Sequence, residues 1–340
     1  MKRDERGSWH SDEMPRWAWA GLMLMRFVGV VMVMLPIALV VMGAWWWTHP
    51  PDPTLSLLAH RGFTGAILRE PAPELGERLE RWRIVPTHGD TLRGLFRAAS
   101  PEARARAGSR PWAVVMLGGI GTGDRAALLL PESLAVDALA MDWPWRGERR
   151  MPWHAFLRRV PAMRHALMHS PAALAHGAEA LRRERAPTRV ALLGASLGSP
   201  IAVAALRLGP ADALVLVDGM ADLESLLESE LRRTLPHGWL DAVLAPPHAV
   251  LGARWVHALE PSRHAEAAER VPTLLLDAEA EERYPGESVR ALHRALPHAE
   301  RRTHPGAHLR PENAAQVRAI IAQVDGWLAA LPDTSAPSGR

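Results

Sequence analysis

The first apolar run, Phe27 to Trp47, is 21 residues long and contains no charged or amide side chain. An α-helix rises about 1.5 Å per residue, so such a run is long enough to cross the ~30 Å hydrocarbon layer of a bilayer. Pro36 lies at its middle, where a membrane helix tolerates proline better than a soluble helix does. Trp17 and Trp19 precede the run and Trp45, Trp46 and Trp47 close it, and such amphipathic rings favour the membrane interface. Lys2, Arg3, Arg6, Arg16 and Arg26 come before the run, whereas the next basic residue after it is Arg61. That asymmetry predicts a cytoplasmic segment over 1–26, a transmembrane anchor over 27–47 in the plasma membrane, and an exported remainder. A cleavable signal peptide is the alternative, although its apolar region is usually about 7–15 residues and ends in small residues, not three Trp.

After the anchor, His49-Pro50-Pro51-Asp52-Pro53 cannot continue a helix and opens a predicted linker over 48–78. The segments 81–86 and 91–98 flank His88-Gly89-Asp90 and predict a hairpin. Short apolar runs follow at 113–117, at the end of 134–141, and at 189–193, 213–217 and 273–276, separated by segments rich in Ala, Leu and Arg at helical spacing. Strands that read as continuous apolar runs between helices predict a mostly parallel sheet covered on both faces, here one α/β domain over 79–331. The stretch 220–268 breaks the rhythm with Pro246-Pro247 and several Trp and His. It is either a long crossover or a cap inserted over a pocket, and the second is favoured. The tail over 332–340 is small and polar and is expected to be disordered.

Composition narrows the chemistry. The 340 residues include no cysteine, which removes disulfides, thiolate metal sites and a cysteine nucleophile together. Lys plus Arg total 40 against 37 acids, for a net charge of +3, and Lys2 is the single lysine. No patch calls for nucleic acid.

Gly194-Ala195-Ser196-Leu197-Gly198 fits G-x-S-x-G between a predicted strand and the helical segment 200–208. Such a strand-to-helix turn holds a serine in a strained conformation with its hydroxyl clear of the sheet, and the flanking glycines leave room for close backbone approach. The helix N-terminus and the Leu197 amide are then placed to stabilise an oxyanion. Gly118-Gly119-Ile120-Gly121 follows an earlier strand, and the Ile120 amide is the candidate for a second donor. The same glycine run lacks the Lys-Ser/Thr of a triphosphate-binding loop and the spacing of a dinucleotide fingerprint. Late in the chain, Pro305-Gly306-Ala307-His308 precedes a predicted helix over 311–331, so His308 is the candidate base and His304 its competitor. Asp277, Glu279, Glu281 and Glu282 cluster after the 273–276 strand, and Asp218 after the 213–217 strand is a second place for an orienting acid.

Together these residues resemble the α/β-hydrolase superfamily over roughly 81–331, in particular its peptidase-like and dienelactone-hydrolase-like serine hydrolase branches. The family's H-G-x-G turn is similar to the segment from Gly118, with Gly118 in place of His, and its D-x-R-G theme is similar to Asp142-Trp143-Pro144-Trp145-Arg146-Gly147. Its G-x-x-D-x-x-x-P acid motif corresponds to Ala278 through Pro285, with Ala278 for Gly and Glu281 for Asp. Its G-x-G-H loop corresponds to Gly306-Ala307-His308.

The resemblance implies an α/β-hydrolase fold, mostly parallel with helices on both faces, and the apolar run predicts one N-terminal transmembrane helix before it. It implies a Ser196-His308-Glu281 triad, with Asp218 as alternative acid, and oxyanion donors at Ile120 and Leu197. It calls for no organic cofactor and no metal. The expected activity is cleavage of an acyl ester, thioester or amide on a small-molecule or peptide substrate, on the periplasmic side of the membrane. The alternatives are an acyltransferase on the same triad and a catalytically silent membrane-tethered binding module.

Overall fold

The computed structural model describes residues 16–48, 52–59, 61–107, 112–119, 122–131, 134–143, 153–187, 189–234 and 239–332. The chain divides into two compact units, Met1–Pro51 and Asp52–Arg340.

In the first unit, α1 (Arg16–Thr48) is a 33-residue helix with Pro36 inside it. Its described apolar side chains point outward: Phe27, Met32 and Trp45 are exposed. Among the described residues no helix is long and apolar enough to cross a membrane. Of the 27–47 run, the described side chains are those of 27–38, 41, 42 and 45.

The second unit opens with α2 (Pro53–Leu58) and continues with β1 (Thr64–Pro71), β2 (Leu79–Pro86), β3 (Leu92–Arg97), α3 (Pro101–Ala107), β4 (Trp112–Leu117) and β5 (Asp137–Met141). Then come α4 (Trp153–Arg185), β6 (Arg189–Ala195), α5 (Gly198–Ala205) and β7 (Ala213–Val217). The chain closes with α6 (Leu223–Thr234), α7 (Trp239–Trp255), α8 (Ala265–Ala268), β8 (Thr273–Ala280), α9 (Gly286–Ala295), β9 (Glu300–Ala307) and α10 (Ala314–Ala330). The nine described strands pair in the order β1-β2-β3-β5-β4-β6-β7-β8-β9. The pairs β1/β2, β2/β3 and β3/β5 are antiparallel, and every pair from β5/β4 to β8/β9 is parallel.

The central strands β4 and β7 are apolar throughout, and β6 is apolar after Arg189, because both faces are buried. Val115, Leu117 and Leu192 share one core with Met168, Leu174 and Leu181 of α4 and Ile201 of α5. Their neighbours Val114, Met116 and Leu193 share the other with Ile320, Val324 and Trp327 of α10. Each such side chain removed from water contributes roughly 1.5–3 kcal/mol, so the two layers lock the direction of the central strands. Asn313 starts α10, its side chain accepting from the Gln316 N–H at 3.2 Å.

One expectation is corrected, and one strand is added to those the pattern predicts. The 48–78 segment is not only a linker, since it carries α2 and the edge strand β1, which pairs with β2 from Thr64 to Pro71. The late strand β9 has no counterpart in the apolar pattern because it lies at the other edge, with Glu300 and Arg301 exposed. As expected for a run at the end of 134–141, β5 covers Asp137–Met141. The 220–268 stretch forms α6, α7 and α8 between β7 and β8. Residues 333–340 lie outside the described residues.

Candidate active site

Ser196 sits between β6 and α5 with φ +56°, a left-handed conformation that costs a non-glycine residue about 1 kcal/mol or more. Its N–H donates to the Val217 carbonyl at 2.8 Å, and its own carbonyl accepts from the Ser199 N–H at 2.9 Å. The two glycines of the motif are steric necessities. A Cβ on Gly194 would lie 2.4 Å from the Gly198 carbonyl oxygen, and one on Gly198 would lie 2.2 Å from the Leu117 carbonyl oxygen. Strand, turn and helix are thus pressed together, and the serine side chain is driven out at the carboxyl end of the sheet, where open α/β sheets bind ligands.

Leu197 occupies the N-cap position of α5, so its amide has no carbonyl acceptor one turn earlier within that helix. Ile120 lies outside the described residues. Of the adjacent turn, Gly118 accepts at its carbonyl from the Trp143 indole N–H at 3.0 Å. A Cβ on Gly119 would lie 3.9 Å from the Ser196 Cβ, so this turn abuts the serine.

His308 follows β9 after Gly306, whose φ of +91° turns the chain back toward the sheet. Its Nε2 lies 3.1 Å from Ser196 Oγ and its Nδ1 lies 2.9 Å from Glu281 Oε2. With Nδ1–H donating to Glu281, Nε2 is left as the acceptor for the serine hydroxyl. Burial pushes the Glu281 carboxyl up, but the His308 hydrogen bond and charge, with the Tyr284 and Arg283 N–H groups, outweigh burial and hold it below the usual carboxylate range. Glu281 therefore stays ionised at neutral pH, the state an orienting acid requires.

Asp218, after β7, is fully buried with φ +47°. Its Oδ1 accepts from His304 Nε2 at 2.8 Å, its Oδ2 accepts from the Leu309 N–H, and Oδ2 lies 3.8 Å from His308 Nδ1. Glu281 is thus the nearer of two carboxylates that face one imidazole nitrogen. His304 has no contact with the serine; it stands behind Asp218, fully buried with it. Burial alone would lower the His304 pKa, but the hydrogen bond and charge of Asp218 override it, and the net shift is upward from 6.5. A folded-state pKa above the unfolded value contributes stability that is fully present below pH 6.5 and is lost as pH rises through the folded value. Urea melts should therefore show wild-type stability falling above pH 6.5 relative to His304→Gln; equal slopes would remove the pair's assigned effect.

Tyr284 is the site residue that motif reading missed. Its hydroxyl lies 2.5 Å from Ser196 Oγ, and its ring meets the His308 ring edge-on with centroids 4.9 Å apart. Glu281 Oε1 accepts from the Arg283 and Tyr284 N–H groups at 2.6 and 3.1 Å, so one carboxylate both orients His308 and folds the loop that carries the tyrosine. The one available signal was its identity as the single tyrosine of the chain, three residues after Glu281.

Asp218, Glu281 and His308 each offer one ligand atom within 4.8 Å of the others. Their lone pairs are already directed elsewhere: Asp218 serves His304 and the Leu309 N–H, and Glu281 serves His308 and two backbone N–H groups. The set is organised as hydrogen-bond acceptors around an imidazole, which is a poor fit to a metal centre.

No family model and no curated protein matches the chain. Solved structures do. A puromycin-hydrolysing peptidase of Mycobacterium tuberculosis superposes with a TM-score of 0.51 at 20% identity, covering 76% of this chain and 40% of that one. The esterase domain of a Rhodothermus marinus protein superposes with a TM-score of 0.50 at 13% identity, covering 74% of this chain and 98% of that one. The chain thus spans well under half the length of the mycobacterial peptidase. Likeness at these identities is a likeness of fold. With a mostly parallel sheet, helices on both faces and a serine on the turn between β6 and α5, the chain has the α/β-hydrolase fold.

Proposed function

We propose that this chain is a membrane-anchored serine hydrolase that cleaves an acyl ester, thioester or amide through an acyl-enzyme. The observation that carries the reading is the continuous hydrogen-bonded line from Ser196 Oγ through His308 to Glu281, at 3.1 and 2.9 Å, with the serine held at φ +56°. Ser196 attacks the acyl carbonyl while His308 Nε2 takes its proton. His308 returns that proton to the leaving group, and water then repeats the sequence to free the acid. Glu281 holds the tautomer and offsets the imidazolium charge, and the Leu197 and Ile120 amides are the assigned oxyanion donors. The α6–α8 insertion is assigned as a cap, a reading supported by the Arg283–Glu230 ion pair at 3.2 Å between the acid loop and α6. Within the insertion, the Glu260 carboxylate accepts from the Asp222 and Leu223 N–H groups at 3.0 Å each and so caps the start of α6.

The anchor is assigned to residues 27–47, with the N-terminus cytoplasmic and the α/β unit periplasmic. It is supported by the uncharged run, the basic residues before it and the exposed apolar side chains of α1. Resistance of the full chain to alkaline carbonate extraction, abolished by deleting residues 1–47, is the expected result; release of the full chain would remove the anchor.

The activity is tested by exposing the full chain in detergent to a fluorescent fluorophosphonate. A folded wild type that takes no label would overturn the reading. Glu281→Gln is expected to lower kcat about a hundredfold, short of the ~10⁴-fold seen when a lone orienting acid loses its charge. The reason is that Asp218 Oδ2 stands 3.8 Å from the same nitrogen. Steady-state ester kinetics on this variant and on Glu281→Gln with Asp218→Asn check the ordering: the double variant should be markedly slower.

A further inference from the structure

We propose that Tyr284 is a catalytic residue: its hydroxyl donates a hydrogen bond to Ser196 Oγ and assists departure of that oxygen when the acyl-enzyme is hydrolysed. This rests on the serine-hydrolase reading above.

The argument begins with direction. Nε2 of His308 accepts the Ser196 proton, so Oγ has lone pairs to offer and the Tyr284 hydroxyl, 2.5 Å away, is the donor. The phenol is buried, and burial first, only partly relieved by its bond to Ser196, pushes its pKa up to about 12. It therefore keeps its proton at any working pH and acts as a fixed donor, not as a base. It is also held in place. The N–H of Tyr284 is bonded to Glu281 Oε1, Pro285 follows it directly, and its ring rests against His308.

Such a donor affects the two half-reactions differently. In the resting enzyme Oγ is an alcohol oxygen and a good acceptor. In the acyl-enzyme it is an ester oxygen whose lone pair is delocalised into the carbonyl, and the bond from Tyr284 weakens. During deacylation, water adds to the carbonyl and gives its proton to His308. When the tetrahedral intermediate collapses, the carbon–Oγ bond breaks, the electron pair goes to Oγ, and His308 Nε2 delivers the proton there. Charge grows on Oγ as that bond breaks, so the Tyr284 bond strengthens between ground and transition state, the condition under which an interaction accelerates a step. Acylation runs the other way: the bond is already made in the free enzyme and gives no gain.

The test is Tyr284→Phe in the full chain in detergent, with p-nitrophenyl acetate followed by stopped flow. We expect kcat to fall about tenfold, the effect of one hydrogen bond to a partly charged oxygen. KM should fall with it while kcat/KM holds, and a burst of nitrophenol approaching one per serine should appear. The rate of fluorophosphonate labelling should stay at or above that of wild type. An unchanged kcat would overturn the proposal, and so would a parallel loss of kcat/KM and labelling, which is the mark of a purely structural residue. A second readout needs no turnover. Because the chain has one tyrosine, growth on 3-fluorotyrosine places a single ¹⁹F reporter at Tyr284. Ser196→Ala should shift its resonance, and an unmoved resonance would also overturn the proposal. A wild type inert to both label and ester would fail the hydrolase reading itself, an outcome distinct from an active wild type with an indifferent Tyr284→Phe.

Discussion

Ser196→Ala is expected to abolish fluorophosphonate labelling and to lower ester turnover by about 10⁶-fold, the scale of removing a triad nucleophile. His308→Ala should lose nearly as much, and the two together little more, because residues that act as one unit are not additive. The alanine variant should fold as well as wild type, since Ala at φ +56° carries the same Cβ strain as Ser. Ser196→Gly separates the two costs. It should be equally inactive yet more stable by about 1 kcal/mol, because glycine enters the left-handed region freely. Paired label gels and urea melts on the three proteins read both quantities. A labelled Ser196→Ala would place the nucleophile elsewhere, and a destabilised Ser196→Gly would mean the backbone at this turn is not strained.

The second large effect is on stability. Gly198→Ala would set a Cβ 2.2 Å from the Leu117 carbonyl oxygen and 3.1 Å from its carbon. Both are backbone atoms of a central strand, so no side chain can swing aside. The variant must separate α5 from β4, and a loss above about 4 kcal/mol is expected, in the range reserved for strained or overpacked cores. Labelling should vanish with the fold. Gly326 in α10 is the control: a Cβ there meets nothing within 4 Å. Gly326→Ala should therefore gain up to about 1 kcal/mol from helix propensity alone. Urea midpoints for both variants decide it, and a Gly198→Ala protein as stable as wild type would contradict the close approach of helix and strand.

Much of this site leaves marks in the sequence because its requirements are backbone requirements. A serine at positive φ between two glycines, and a histidine just after Gly306, are patterns that close packing enforces and that a reader can find. The central strands are equally legible, since burial on both faces leaves β4 and β7 wholly apolar and β6 apolar after its first residue, Arg189. The edges are not. Thr64–Pro71 and Glu300–Ala307 pair through backbone bonds while most of their side chains meet water, so composition says little about them. Tyr284 was hidden for another reason. Its position depends on a loop folded by hydrogen bonds to Glu281, and no local spacing rule reveals where a side chain lands after such a turn. Asp218 was legible as an alternative acid, but its bond to His304 and its 3.8 Å approach to His308 belong to tertiary structure.

Two carboxylates on neighbouring strands facing one imidazole nitrogen bear on how such a site can change over descent. If each acid stood alone, moving the role from β8 to β7 would demand losing one before gaining the other, with a dead ancestor between. Here Asp218 is already buried, ionically partnered and anchored to the His308 loop through the Leu309 N–H. On the hydrolase reading proposed above, a lineage that drifts at Glu281 begins its search from a weakened catalyst, not an inert one, and selection has a slope to climb toward an Asp218-based triad.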